Sequence, residues 1–277
     1  WQDELQTTLI EQVGEELGNH QFHLYNSAFP AGYREAFNVR TAVADVQYME
    51  NLCTQDAGEL GMSFYREPEE AANELRFKLF SRDQILPLSD VIPVLENLGL
   101  RVLGEHPYEI LRSDGQRFWM HNFQLRYRLS DSINITAVKA LFQDAFRAVW
   151  QGQAENDGFN RLVLGAELSW RDIAVLRAYA RYMKQIRFGI SEQTIADTLS
   201  RYIDISARLV QFFHSRFDLR NKTPDQRLST LEKQQQQLIG ALENVAQLNE
   251  ERTIRRYIDL INATLRTNFY QLDEQGN

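Results

Sequence analysis

The sequence predicts an α+β fold, in which an antiparallel sheet with helices is followed by an all-α region that ends in a long helical hairpin. Two observations carry this prediction. Short segments with the two-residue hydrophobic alternation of strands fall between residues 60 and 129 of the 277. On both sides of that range, apolar residues recur at the three- and four-residue steps of amphipathic helices. A chain of this length has room for two modest domains.

Residues 1–56 are predicted to form a helical segment that packs on the sheet. A first helix is indicated by apolar residues at steps of four, namely Leu5, Leu9, Val13 and Leu17. A second helix is predicted from Val39 to Leu52, after a break at Pro30 and Gly32.

Residues 57–133 are predicted to form the sheet domain. Met62 and Phe64 indicate its first strand. The second strand alternates apolar with basic side chains and should therefore have one solvated face: Leu75, Arg76, Phe77, Lys78 and Leu79. A short helix follows from Leu88 to Leu98, with Ser89 or Asp90 as its cap and Gly99 at its end.

Three more strands are predicted after this helix: Leu100–Leu103, Tyr108–Leu111 and Trp119–Tyr127, the last after a turn at Asp114 and Gly115. The order strand, strand, helix, strand, strand, strand favours an antiparallel sheet covered by helices on one side. Such an arrangement is related to ferredoxin-like folds.

Residues 134–277 are predicted to form a helical domain. Ser169 with Asp172 is a variant capping box, and Ser191 is a candidate cap for the next helix. The strongest helix start is at residues 223–226, where a threonine is followed by proline and, two residues later, glutamine. Narrow apolar stripes predict a hairpin over residues 224–271 that turns near 248–250.

The segment from Asp157 to Arg161 also indicates a local structure. Asp157 is expected to cap a helix that begins at Phe159, and Arg161 is expected to pair with an acidic residue elsewhere. We interpret this segment as a structural junction, with a contact to another subunit or domain as the alternative.

The net charge of −8 argues against nucleic-acid binding, because phosphates demand a basic surface. Most of this charge lies in residues 1–56, which we interpret as a solvated acidic face, with a docking site for a basic partner as the alternative. Cys53 is the only cysteine, which excludes an internal disulfide and fits a reducing compartment. For Cys53 itself, a buried position is favoured over a reactive thiol.

No residue is assigned a catalytic, cofactor-binding or metal-binding role from the sequence. The glycine fingerprint that brings backbone N–H groups to a dinucleotide is absent. His20 and His23 favour a surface pair, because no further ligand completes a metal site. His121 lies on an apolar strand face and favours a hydrogen-bonded core histidine. Neither His106 nor His214 has an obvious combination of a carboxylate and a nucleophile in sequence reach.

Several strings of residues are long and unusual: Ala28–Phe37, Leu88–Glu109, Asp114–Leu125, Asp157–Gln185, Leu209–Asp218 and Arg266–Gln271. These strings resemble the large bacterial NAD-specific glutamate dehydrogenases, in the region before their catalytic domain. The resemblance spans nearly the whole chain. It implies an ACT-like module in residues 57–133 and, for the intact enzyme, NAD-dependent interconversion of glutamate with 2-oxoglutarate and ammonia. It also implies that the reactive residues, and the NAD site, lie outside this chain.

Three hypotheses about function follow. The first is a non-catalytic structural or regulatory segment of such an enzyme. The second is an amino-acid-sensing ACT-like module, for which Arg76, Lys78, Asn122 and Arg126 are candidate ligand contacts, with solvated strand positions as the alternative. The third is an oligomerisation scaffold built on the terminal hairpin. The resemblance implies a cytoplasmic homo-oligomer, a tetramer, in which the catalytic domain of the same chain is a partner and an amino acid is a candidate effector.

Overall fold

A computed structural model describes residues 1–56, 58–218 and 224–271. The chain divides into two compact units. The first unit comprises Trp1–Glu96 and Leu100–Lys139, and the second comprises Asn97–Gly99 and Ala140–Asn277. Helices precede and follow a four-stranded antiparallel sheet along the chain, which confirms the predicted α+β class.

Four helices precede the sheet: α1 (Gln2–Val13), α2 (Glu15–Tyr25), α3 (Ala31–Ala36) and α4 (Val39–Thr54). The sequence predicts a single helix across α1 and the start of α2, but Gly14 ends α1 with a φ of 90°. As α2 packs against α1, Gly18 lies so close that an added Cβ would be 2.6 Å from the Ile10 backbone. Leu17 is therefore exposed instead of continuing the apolar face of α1.

The sheet contains β1 (Gly61–Tyr65), β2 (Glu74–Arg82), β3 (Leu100–Leu111) and β4 (Arg117–Tyr127), with α5 (Leu88–Asn97) between β2 and β3. Its order is β1-β2-β4-β3, and all neighbouring strands are antiparallel. Because β4 lies between β2 and β3, the elements β2, α5 and β3 form the split β-α-β unit of ferredoxin-like folds. The strand β1, which precedes this unit in the sequence, pairs with β2 and forms that edge of the sheet.

The strand β3 is continuous, although the sequence predicts two separate strands over residues 100–111. The strand contains a local irregularity, where its register with β4 shifts between Val102 and Gly104, and it continues on both sides of that step. Pro107 is tolerated because β3 is an edge strand, where a missing N–H need not interrupt the ladder. The predicted turn before β4 is confirmed, with Gly115 at a φ of 89°.

The helix α5 begins before the residues that were predicted to cap it. Leu88 is already helical, and the backbone N–H of Asp90 donates to the carbonyl of Pro87 at 3.0 Å. Ser89 and Asp90 therefore lie within the first turn. The predicted helix end is confirmed, since Gly99 adopts a φ of 88°.

Both faces of the sheet are buried, although the sequence predicts a solvated face on β2. On one face, Phe80 and Met120 join the core formed by α1 to α4. On the other face, Phe77 and Phe123 are fully buried. The prediction fails at Lys78, which is only 1% exposed because an ion pair with α4 takes the place of water.

The helices after the sheet are α6 (Ile135–Trp150), α7 (Arg161–Gly165), α8 (Trp170–Gln185), α9 (Glu192–Arg201), α10 (Ile203–Phe217), α11 (Pro224–Ala241) and α12 (Leu248–Ala263). The predicted caps are confirmed: Ser169 and Asp172 form a full capping box on α8, and the Ser191 side chain accepts from a backbone N–H of α9. The helix α11 begins at Pro224, as predicted, whereas its expected cap Thr223 lies outside the described residues.

The described chain ends in two helices, as predicted, but the turn between them lies earlier. A 3-10 helix at Leu242–Asn244 ends α11, so the chain turns before Leu248 rather than after it. The helix α11 packs mainly along α10, while α12 packs on α9 and α10 as well as on α11. The predicted stripe on α12 is buried at Ile254 and Ile258, but Leu265 falls beyond the helix end and is 88% exposed.

Candidate functional site

A polar pocket of about 430 Å³ lies on the sheet face that carries Lys78. We call it the sheet pocket; it is lined by Ala36, Phe37, Tyr65, Glu67, Arg76, His106, Tyr108, Asn122 and Gln124. Strand register explains this grouping, because Arg76 pairs with Gln124 and Lys78 pairs with Asn122 across β2 and β4. Side chains that alternate along neighbouring strands thus reach the same face.

A buried ion pair lies on the same face as the sheet pocket. Lys78 Nζ is 2.5 Å from Asp45 Oδ2 on α4, and the Tyr33 hydroxyl donates to the same oxygen at 2.6 Å. The Lys78 ammonium also lies 3.9 Å from the centre of the Phe37 ring. Burial lowers the pKa of Lys78, and Asp45 opposes that shift. Because Lys78 and Asp45 compensate each other, this pair adds no net charge to the pocket.

The one arginine of the sheet pocket already has protein partners. Arg76 Nε lies 2.5 Å from Glu70 Oε1. The Gln124 side-chain oxygen accepts from Arg76 Nη1 at 2.7 Å. The neighbouring Glu67 carboxylate has no ion-pair partner among the described residues. Burial raises the pKa of Tyr65, and the negative charge of Glu67 raises it further. The pocket therefore presents acidic as well as basic side chains.

Asn122 has an unsatisfied hydrogen-bonding group in this pocket. The residue is 6% exposed, and its Oδ1 atom is buried without a partner in the described part of the chain. Buried side-chain oxygens in native proteins nearly always accept a hydrogen bond.

The structure brings together two of the four residues that the sequence offered as ligand contacts. Arg76 and Asn122 line the sheet pocket. Lys78 is instead occupied by Asp45, and Arg126 pairs with Glu74 at 2.7 Å without lining the pocket.

Sequence reasoning did not assign Glu67, Tyr65, His106 or Tyr108 to this site, although each lines the sheet pocket. Their convergence depends on the β1–β2 loop and on the edge position of β3, which sequence periodicity does not show.

The sequence also predicts whether His20, His23, His121 and Cys53 are exposed or buried. His20 and His23 are exposed, as predicted for a surface pair. His121 is buried and lies 2.7 Å from Glu105 through Nδ1, which confirms a hydrogen-bonded core histidine. Cys53 is exposed, so its predicted burial is wrong, because it lies one position beyond the buried stripe of α4.

The described residues contain neither a cluster of metal-binding side chains nor a membrane-spanning helix. No group of three or more histidine, cysteine or carboxylate side chains there could hold a metal ion. Among the helices of those residues, none combines the length and the apolar character needed to cross a membrane.

The cap and the ion pair predicted for Asp157 and Arg161 are present, although the capped helix begins at Gly158, one residue earlier than predicted. Asp157 accepts from the Phe159 backbone N–H at 3.0 Å and so caps the 3-10 helix Gly158–Asn160 that leads into α7. Arg161 lies 2.6 Å from Asp197 on α9, which confirms the predicted pairing with an acid elsewhere. The sequence did not indicate the central partner: Arg177 of α8 lies 2.7 Å from Asp157.

His214 has an aspartate partner that sequence proximity did not reveal. Its Nε2 lies 2.7 Å from Asp172 Oδ1, and its Nδ1 lies 2.6 Å from the Tyr270 hydroxyl. Ser169 Oγ donates to Asp172 Oδ2 at 2.6 Å. Serine, histidine and aspartate are thus close, but the hydroxyl faces the carboxylate rather than the imidazole. The arrangement therefore stabilises the start of α8 and does not build an activated nucleophile.

The carboxylate of Asp172 gives a testable pH dependence. Burial acts to raise its pKa, but hydrogen bonds from His214 and Ser169 outweigh burial and hold the pKa below its usual value. The stability it contributes is therefore complete above the unfolded carboxyl pKa of ~3.9 and is lost as pH falls through the folded pKa. We expect Asp172→Asn to destabilise the second unit by ~1 kcal/mol at neutral pH.

Urea unfolding of the wild type and of Asp172→Asn, measured from neutral pH down through the acid range, tests this expectation. The difference between the two proteins should shrink as the wild-type carboxylate becomes protonated. Asp144→Asn is the control, because Asp144 is largely exposed on α6. A difference that stays constant with pH would contradict the assigned role of Asp172.

The strand order of the four-stranded sheet, with its split β-α-β unit, defines a ferredoxin-like module that is preceded and followed by helices along the chain. Four family models match the chain: glutamate dehydrogenase helical motif 2 (8–52), ACT3 domain (59–138) and helical motif 3 (154–219), and bacterial NAD-glutamate dehydrogenase catalytic domain (237–277). The chain belongs to the bacterial NAD-specific glutamate dehydrogenase family, and the sheet is its ACT3 domain. The expected ACT-like module is thereby confirmed.

Curated relatives agree with this assignment. The chain is 45% identical over 276 residues to the NAD-specific glutamate dehydrogenase of Halomonas elongata and 46% identical over 277 residues to that of Pseudomonas aeruginosa. Each alignment covers 100% of this chain and 17% of the relative. The Mycobacterium tuberculosis enzyme of the same name is 30% identical over 260 residues, which cover 91% of this chain and 16% of the relative. The chain thus spans about a sixth of the relatives that it matches.

Proposed function

We propose that this chain is a non-catalytic structural and regulatory segment of an NAD-dependent glutamate dehydrogenase. The intact protein would convert glutamate to 2-oxoglutarate and ammonia, with NAD accepting the hydride. The observation that supports this proposal most is the end-to-end similarity, at 45–46% identity, to two enzymes of that name, of which the chain spans 17%. Hydride transfer needs a dinucleotide site, and the sequence lacks its glycine fingerprint, so that site belongs elsewhere in the intact protein.

The packing of α12 supports a role in positioning the catalytic domain. This helix lies in the part of the chain that matches the catalytic-domain model, whereas α8, α9 and α10 lie in the helical motif 3 match. The hydroxyl of Tyr257 on α12 donates to the Leu176 carbonyl at 2.8 Å, in a buried position. Glu250 accepts from the Tyr202 hydroxyl at 2.8 Å and pairs with Arg201. These contacts would hold the start of the catalytic domain against the helical motif.

The remaining parts of the proposal concern assembly and location. The intact enzyme would be a cytoplasmic homo-oligomer, a tetramer, as the family resemblance implies. Exposed apolar side chains support self-association as a scaffold function of the second unit: Leu228, Ile239, Leu248 and Leu265. Such exposed apolar positions gain by burial against another surface.

The chain should have no dehydrogenase activity of its own. We expect the purified protein, mixed with glutamate and NAD, to form no NADH above a protein-free blank, because the residues that would hold the cofactor are not in its sequence. The intact enzyme of Pseudomonas aeruginosa, assayed in the same buffer, is the positive control. Glutamate-dependent NADH formation by the chain alone would contradict the proposed non-catalytic role.

A further inference from the structure

We propose that an apolar groove in the second unit binds a free fatty carboxylate, with Arg171 holding the carboxylate and the groove holding the alkyl chain. The groove has a volume of about 550 Å³ and is formed by α8, α10, α12 and the residues that follow α12. We call it the helix groove; its lining includes Arg171, Ala174, Ala178, Tyr182, Leu260 and Phe269. The proposal goes beyond the function proposed above and does not depend on it.

The helix groove runs along one face of α8. Four of its lining residues follow one another at helical steps of three and four, and their side chains therefore share that face: Arg171, Ala174, Ala178 and Tyr182. Ala174 and Ala178 are exposed, and their methyl groups leave space above the helix between the larger end residues. The helix rises roughly 16 Å from Arg171 to Tyr182. Such an elongated apolar channel suits an extended alkyl chain.

Contacts within the second unit fix the opposite wall of the groove. The Thr264 hydroxyl donates to the Leu260 carbonyl, so the Tyr179 hydroxyl is the donor in its 2.9 Å contact with Thr264 Oγ1. The Phe269 ring packs edge-on against the Phe213 ring, with centroids 5.6 Å apart. Because these hydroxyls bond within the protein, the wall presents mainly apolar surface to a ligand.

Arg171 supplies a positive charge at one end of the groove. Among the described residues that line the groove, it is the only charged one. Its guanidinium lies 5.6 Å from the centre of the Phe269 ring and makes a long hydrogen bond, 3.4 Å, to the Phe269 carbonyl. Arg177 and Arg181 of the same helix pair with carboxylates, whereas no described carboxylate pairs with Arg171. A ligand carboxylate would supply that partner through charge-assisted N–H bonds.

The acidic neighbour of Arg171 is held away from this position. Asp172 accepts from Ser169 at 2.6 Å and contacts His214 at 2.7 Å, one contact for each carboxylate oxygen. None of these three residues lines the groove. The groove therefore combines an apolar channel with one cationic end, which complements a fatty carboxylate. A fatty amine would instead place a second cation beside Arg171.

Isothermal titration calorimetry of the full 277-residue chain with monomeric decanoate tests the proposal. We expect saturable binding of decanoate. Decylamine has the same chain length and the opposite charge, and it should bind at least ~10-fold more weakly, because it loses the contact with Arg171. Hexanoate keeps the carboxylate but buries less alkyl surface, so it should also bind more weakly than decanoate.

Two pairs of variants locate the ligand. Arg171→Gln should weaken decanoate binding at least ~10-fold and remove the preference over decylamine, whereas Arg181→Gln, at a half-exposed position outside the groove, should change neither. Ala178→Trp should abolish binding because the indole fills the channel. Ala140→Trp, at an exposed alanine of α6, is its control. Urea unfolding identifies any variant that has lost its fold, and the ligand series on the wild type does not depend on the variants.

Four results would overturn the proposal. The first is the lack of saturable heat with decanoate, and the second is equally tight binding of decylamine. The third is an equal effect of Ala178→Trp and Ala140→Trp, which would place the ligand outside the groove. The fourth is binding to phosphatidylcholine vesicles without binding of monomeric decanoate, which would assign the groove to a lipid surface. None of these results bears on the proposed function, which the NADH assay tests separately.

Discussion

Replacing Asp45 with alanine is expected to destabilise the first unit by ~3–5 kcal/mol, because it leaves the Lys78 ammonium buried without a counter-charge. Lys78 is 1% exposed and cannot reach water without disturbing the sheet. The Tyr33 hydroxyl loses its acceptor in the same substitution. Urea unfolding gives the free energy, and hydrogen exchange of the β2 amides shows that the loss falls in the first unit.

A double-mutant cycle separates the ion pair from simple packing. Lys78→Met alone should also destabilise, whereas Asp45→Leu combined with Lys78→Met should recover much of the lost stability, because an apolar pair needs no compensation. Asp56→Ala, at an exposed position just beyond α4, is the control and should change stability by less than ~0.5 kcal/mol. Strict additivity of the two single changes would show that Asp45 and Lys78 do not act as a pair.

Replacing Arg177 with methionine is expected to destabilise the second unit by ~2–3 kcal/mol. Arg177 is 4% exposed and donates to both oxygens of Asp157, at 2.7 and 3.0 Å, and to Asn160 Oδ1 at 2.9 Å. Its guanidinium also lies 5.7 Å from the centre of the Phe159 ring. Methionine keeps much of the side-chain volume but removes all of these hydrogen bonds, so the segment that begins α7 would lose its attachment to α8.

Arg181→Met is the matched control for this prediction. Arg181 lies one turn further along α8, pairs with Glu155 and is about half exposed. An exposed ion pair contributes ~0–1 kcal/mol, so this variant should unfold close to the wild type. Chemical denaturation of both variants makes the comparison. Equal losses at Arg177 and Arg181 would mean that the buried junction contributes no more than a surface contact.

Local signals made much of the fold predictable. The capping box at Ser169 and the turn glycine Gly115 act through neighbouring residues, so the sequence alone shows them. The misplaced boundaries have tertiary causes. Gly14 breaks a periodic stripe because α2 packs on α1, and Pro107 stays within a strand because that strand lies at a sheet edge.

The candidate site was predictable only in part, for the same physical reason. Alternation along each strand predicts the side of the strand on which Arg76 or Asn122 lies. The register between β2 and β4 then places both residues on the same face of the sheet. The alternation also indicated that Lys78 faces water, and this prediction was wrong. Its buried partner Asp45 lies 33 residues earlier, and alternation along one strand cannot show such a partner. Likewise, His214 and Asp172 are 42 residues apart, so their contact could not be inferred from sequence.

The edges of the sheet restrict how two copies of this protein could associate. The edge strand β3 contains an irregular step and a proline, and the opposite edge strand β1 has only five residues. A proline and an irregular step on one edge, and a short strand on the other, work against continuous pairing with an incoming chain, which disfavours strand addition and the aggregation that follows from it. Copies of this segment in a homo-oligomer would therefore associate through side-chain contacts. The arrangement of those copies could then change without breaking main-chain hydrogen bonds between strands.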